Sequence, residues 1–140
     1  MVNALVAADW VIVPVRHAIF SLDGLADTIE TLEGYTHLGG HTNGADAYRI
    51  LFTMVDARKK KSAQYATGEL ATLEHQLFRT VIRDNDDLNQ AQAAGLSIFH
   101  FSPHCHGAQD YFELTKEILA YEEARTQASK QANEHAPRSD

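Results

Sequence analysis

Trp10-Val-Ile-Val-Pro-Val15 is nearly continuous in apolar residues. A short apolar run of this kind fits a strand covered on both faces, as in a parallel sheet, better than the half-exposed strand of a hairpin. Pro14 has no N–H to give to a ladder, so the strand is expected to finish near residue 15 or to lie at a sheet edge. Ahead of it only a short helical segment, residues 3–8, is expected. Behind it Leu22, Leu25, Ile29 and Leu32 recur at helical spacing after Ser21, a suitable N-cap, and Gly34 is placed to stop the helix. Gly39, Gly40, Asn43 and Gly44 then break any periodicity, and residues 48–55 form a second apolar run. Strand, helix, strand is a βαβ unit, and its strands are parallel.

Further along, Ala63, Ala66, Leu70, Leu73 and Leu77 are spaced by three and four and predict a long helix from residue 57, weakened at Gly68 by about 1 kcal/mol relative to alanine. Residues 77–82 read as a third strand. Asn85 or Asp86 can cap a short helix through Ala94, ended by Gly95. An irregular stretch over residues 96–105 leads to a last helix with Tyr111, Leu114, Ile118 and Tyr121 on one face. Residues 126–140 carry no apolar pattern and are expected to be a disordered polar tail, leaving residues 1–125 as the folded domain.

With 140 residues, 44% of them hydrophobic and 22% charged, the chain has the composition of an ordinary soluble domain. No run approaches the roughly 20 apolar residues of a membrane span, and residues 1–10 lack the basic region and cleavage signature of a secretory signal. The expected location is therefore cytoplasmic, with no membrane partner. Cys105 is the sole cysteine, which excludes an internal disulfide framework. A net charge of −7 argues against a surface dominated by nucleic-acid contacts, though not against a local basic patch. The sequence holds no glycine-rich phosphate loop of either common type. In open parallel sheets ligands bind at the carboxyl ends of the strands, which here are Val15-Arg16-His17, Met54-Val55-Asp56 and Ile82-Arg83-Asp84-Asn85.

Six blocks, in order, carry a resemblance to a known family: Asn3-Ala-Leu-Val-Ala-Ala-Asp9, Val11-Ile-Val-Pro-Val15, Ser21-Leu-Asp-Gly-Leu25, Thr53-Met-Val-Asp-Ala-Arg58, Thr80-Val-Ile82 and Gly107-Ala-Gln-Asp-Tyr111. Together they resemble the C-terminal half of ParA-type partition ATPases of the ParA/Soj/MinD superfamily, across about residues 3–119. The resemblance implies an α/β, partial P-loop NTPase-type (Rossmann-like) parallel sheet flanked by helices. For the whole family it implies ATP and magnesium as cofactors, ATP-dependent dimerisation, DNA binding without sequence preference, and a ParB-type centromere-binding partner in plasmid or chromosome segregation. The family's Walker A and Walker B elements have no counterpart in these residues, so the chain alone is expected to bind no ATP and to hydrolyse none, for want of a phosphate cradle and a magnesium ligand. By resemblance, Thr53, Asp56, Arg58 and Asn85 border the adenine end of the nucleotide. Arg83 and Asp84 depart from the family's turn, which has proline and arginine there, so an anion replaces a cation beside Asn85.

Blander readings stand beside these. Asp56 and Arg58 also suit the start of a helix, where an aspartate gains about 0.3 to 1 kcal/mol from the dipole. Lys59, Lys60 and Lys61 form the strongest positive patch and are the candidate DNA contacts, or else a solvated first turn. His100, His104, Cys105 and His106 are metal-ligand types, but three adjacent positions do not converge on one ion, and no metal is expected. Cys105 flanked by histidines is the only support for a hydrolase, and no nucleophile elbow accompanies it. The alternative to a partition protein is a stand-alone, non-catalytic module that self-associates or modulates a full-length relative. A homo-oligomer is expected either way, because a small parallel sheet leaves edges and faces to cover.

Overall fold

The computed structural model describes residues 7–16, 27–32, 34, 48–56 and 71–134. The deciding run forms β1, Val11–Arg16, and the second apolar run forms β2, Tyr48–Thr53. They pair in parallel from Val11 opposite Tyr48 to Arg16 opposite Thr53. Residues 27–32 and 34 are helical, the end of the helix expected between the two strands, and Leu32 from it is buried in the core with Tyr48, Ile50 and Phe52. The expected Ser21 cap, the loop at residues 35–46 and the helix over residues 57–70 fall outside the described residues, as does most of the segment at residues 3–8.

β2 is covered on both faces, with Ile50 turned to one cluster and Leu51 to another that contains Phe78, Ile82 and Leu114. β1 is not. Val11, Val13 and Val15 pack inward while Ile12, Pro14 and Arg16 are exposed, so the expectation of a doubly covered first strand is corrected to a strand covered on one face. Pro14 sits inside β1, opposite Leu51; among the described residues β1 pairs on one side only, with β2, a placement that tolerates a missing N–H.

The third strand is also corrected. Residues 71–76 form a 3-10 turn, Ala71–Gln76, and Leu77 has left any helix to make an isolated parallel bridge with Ile50. From there to Arg83 the backbone follows β2 without becoming a regular strand. The amides of Phe78 and Ile82 donate to Ile50 and Phe52 at 2.9 Å, but those of Arg79 and Thr80 turn to the Glu117 carboxylate at 2.7 and 2.9 Å. A regular strand sends alternate amides to opposite sides, and two consecutive amides held by one carboxylate interrupt that order.

The helix α1, Asp86–Ala93, is capped by Asn85, whose Oδ1 accepts from the Asp87 amide at 2.8 Å. It closes in a Schellman turn: the Leu96 amide donates to Ala91, the Gly95 amide to Gln92, and Gly95 has φ +66°, where a Cβ would be strained. The stretch expected to be irregular contains a short helix, α2, Ile98–Phe101, capped by Ser97. The last helix, α3, runs His106–Glu134, so the first part of the expected tail is helical. Its packed face is Asp110, Leu114, Glu117, Ile118 and Tyr121, with Tyr111 turned outward. No helix among the described residues is long and apolar enough to cross a membrane.

Gly107 lets α3 approach α1: a Cβ there would meet Leu88 Cγ at 2.8 Å and its two methyls at 3.0 and 3.1 Å. Gly107→Ala should therefore destabilise the chain by about 1 to 2 kcal/mol in urea melts, because overpacking outweighs the gain in helix propensity. Gly34→Ala, where nothing among the described residues lies within 4 Å, should be neutral or stabilising. Equal effects at the two sites would mean that Leu88 rotates away freely.

Candidate functional site

The carboxyl ends of β2 and of the irregular third segment lie side by side. The Val55 amide donates to the Ile82 carbonyl at 3.1 Å, and the Asp84 amide donates back to the Val55 carbonyl at 3.0 Å. Residues 53–56 and 82–85 thus lie along one edge, which carries Thr53 and Asp56 on one segment and Asn85 on the other. Thr53 Oγ1 reaches the Val15 carbonyl at 3.4 Å, tying the end of β2 to that of β1. Between Thr53 and Asp56, Met54 has φ 53° with its side chain exposed. A non-glycine residue in that region is strained by about 1 to 2 kcal/mol, and such strain concentrates at binding sites. Asn85 Oδ1 is engaged as the α1 cap, and the Asp87 carboxylate beside it accepts from Ser102 Oγ at 3.2 Å. Arg58, Lys59, Lys60 and Lys61 lie outside the described residues.

Sequence reasoning flagged Arg83 as a departure and missed its partner. Its guanidinium Nη2 donates to Asp110 Oδ1 at 2.6 Å and its Nε to Oδ2 at 3.0 Å, while its backbone amide also donates to Oδ2 at 2.9 Å. Asp110 is 8% exposed, the one buried charged residue among those described. Hydrogen bonding to this carboxylate raises the Arg83 pKa above its ordinary value, with the Coulombic attraction adding to it and partial burial opposing it. Asp110 and Glu117 stand seven residues apart on α3, so two carboxylates from one helix face fix the backbone amides of residues 79, 80 and 83. The only signal for this in the sequence is that spacing, and charged residues at helical spacing ordinarily read as a solvated face.

Elsewhere, His100 and Cys105 make local contacts. His100 Nδ1 lies 2.9 Å from Ser97 Oγ, and Cys105 Sγ accepts from the Ala108 amide at 3.3 Å near the start of α3. Among the described residues no three metal-ligand side chains come together. At the opposite end of β2 a cavity of about 710 Å³ is bordered by Arg49, His75, Arg79, Glu117 and Tyr121. Arg49 lies over the Tyr121 ring at 4.1 Å, and Glu117 is engaged by the amides already described.

A parallel strand pair flanked by helices defines the class: an α/β protein with a partial Rossmann-like P-loop sheet. No protein-family model matches the chain. It is 30% identical over 124 residues to the chromosome partitioning protein ParA of Caulobacter vibrioides, covering 89% of this chain and 46% of that protein. It is 34% identical over 118 residues to the chromosome-partitioning ATPase Soj of Thermus thermophilus, covering 84% and 47%. The sporulation initiation inhibitor protein Soj of Bacillus subtilis is 30% identical over 122 residues, covering 85% and 46%. The chain is homologous to the C-terminal part of ParA/Soj chromosome-partitioning proteins, and it spans about half the length of the curated relatives it matches.

Proposed function

We propose that the chain acts in ParA-like DNA partition, supplying the adenine-end edge and a non-specific DNA contact of a nucleotide-dependent dimer that works with a ParB-type partner. The observation that carries this reading is the extent of the match, which runs through 89% of the chain at 30% identity and includes both carboxyl-end segments. In this reading Thr53, Asp56, Arg58 and Asn85 border the base, and magnesium and the phosphates need elements that these 140 residues do not contain. Nucleotide held by the base alone is expected to bind weakly, a millimolar Kd corresponding to roughly 4 kcal/mol. Hydrolysis, which depends on positioned cations at the transferring phosphoryl group, does not occur in this chain alone.

With a net charge of −7, DNA contact has to be local, and Lys59, Lys60 and Lys61 beside Arg58 are the patch that offers it. Each phosphate neutralised contributes about 0.9 to the slope of log affinity against log salt. Replacing all three lysines by alanine should lower that slope by about 2 to 3 in titrations of random-sequence duplex DNA. An unchanged slope would remove the lysines from the interface. The second reading, a non-catalytic module that self-associates or modulates a full-length relative, is favoured by exposed Ile12, Phe112 and Leu119. Absence of DNA binding together with concentration-dependent sedimentation would select it.

A further inference from the structure

We infer that Asp110 is a positioning residue for the base end of the proposed nucleotide site, acting through Arg83 on the turn that presents Asn85. The inference rests on the reading that residues 53–56 and 82–85 border a nucleotide base. Three anchors hold this turn. The Asp84 amide ties it to Val55, and Asn85 caps α1. Just before them, Arg83 is gripped at both its backbone and its side chain by one carboxylate from α3. The first two anchors are short-range bonds within the edge. Asp110 adds a charged tie from α3 to the edge, beside the apolar packing of Ile82 with Leu114, and it does so from a buried position, where a charged hydrogen bond is stronger than at a solvated surface. The Arg83 backbone amide, Nε and Nη2 are all directed at Asp110, so these donors serve to fix the backbone. Asp84, Asp86 and Asp87 follow Arg83 in the chain and the Arg83 charge is met by Asp110, so the proposed base site suits a neutral ring better than a phosphate.

The test uses the 140-residue chain with AMP at millimolar concentration as probe, followed by amide NMR and hydrogen exchange. Asp110→Asn should speed exchange of the Asp84 and Asp87 amides about tenfold, equivalent to about 1.4 kcal/mol of local opening, and should abolish AMP-induced shifts at Asn85. Arg83→Gln, which keeps the backbone amide bond, should reproduce both effects in part and serves if the first variant fails to fold. Glu117→Gln loosens the neighbouring clamp on residues 79 and 80 and should leave Asp84, Asp87 and the AMP shifts unchanged. AMP shifts at Asn85 that persist in Asp110→Asn would overturn the inference while leaving the base site standing. No AMP shift in the wild-type chain would remove the base site and the inference with it. Equal loss in Glu117→Gln would reduce Asp110 to one of two general structural supports, which also overturns it.

Discussion

Asp110→Ala is expected to lower the unfolding free energy by about 3 kcal/mol, read from urea melts with an unchanged slope. Three groups lose a partner at once: Arg83 Nε, Arg83 Nη2 and the Arg83 amide. Breaking a fully buried pair costs about 3 to 5 kcal/mol. Here the Arg83 side chain is 32% exposed, so water takes over part of its solvation and screening lowers the cost towards the bottom of that range. Arg83→Met strands the carboxylate instead, with only the amide of residue 83 left to it, and should cost a similar amount. A double-mutant cycle should return a coupling of about 1 to 2 kcal/mol. The Arg83 contribution has a definite pH sign. Its folded pKa lies above the unfolded value, so the stabilisation is fully present below the unfolded arginine range and is lost only as pH rises through the folded value. Arg83 therefore adds no slope to stability between pH 5 and pH 8. A cost below about 0.5 kcal/mol for Asp110→Ala would place the pair with ordinary surface salt bridges.

The sequence revealed the elements whose causes are local. An apolar run of strand length announced β1 and β2, an asparagine before two aspartates announced the start of α1, and Gly95 announced its end. The third segment was misread because its causes are distant. Leu77 continues a helical spacing with Leu73 and also opens the apolar stretch towards Ile82, and both residues reach the same cluster by different geometry. What decides between the two readings is Glu117, which takes the amides of Arg79 and Thr80 from 38 and 37 positions away. No local pattern encodes that. The face of α3 was misjudged for a related reason: Tyr111 was assigned inward by its apolar body, whereas the inward position belongs to Asp110 next to it, a charge that burial tolerates only because Arg83 meets it.

The candidate site was legible in its position and only partly in its parts. The rule that ligands meet the carboxyl ends of parallel strands singled out these strand ends as the candidate edge, and the bonds between residues 55, 82 and 84 hold two of those ends side by side. The departure at Arg83 was visible as a residue change beside Asn85. Its meaning was not, since an arginine in a turn reads equally as a ligand contact or as a structural tie, and the partner that decides lies 27 positions further on.

The second large effect concerns β2, the strand that carries Thr53 to the edge. Ile50 is 0% exposed and Leu51 is 6% exposed, and they point to different layers. Each truncation to alanine removes buried methyl groups and leaves a cavity, at a cost of about 2 to 5 kcal/mol. Ile50 sits between Val13 across β1 and the bridge to Leu77, so its site can collapse little, and about 4 kcal/mol is expected. Leu51 faces the cluster of Phe78, Ile82 and Leu114, with Trp10 and Ile118 at its border, and about 3 kcal/mol is expected. Residues adjacent in sequence usually couple, but side chains on opposite faces of one strand share no cavity. The double variant should therefore lose the sum, about 7 kcal/mol, which is comparable with the whole stability of a domain and should leave the chain largely unfolded at 25 °C. Ile12→Ala, on the exposed face of β1, should cost less than about 1 kcal/mol. Trp10 distinguishes the layers, because its ring lies 6.2 Å from Phe78 and 5.0 Å from Tyr121. Leu51→Ala should shift its emission to the red while Ile50→Ala leaves it in place. Red shifts of equal size, or a measured loss well short of the sum, would mean that the strand moves as a unit and that the two layers are one core.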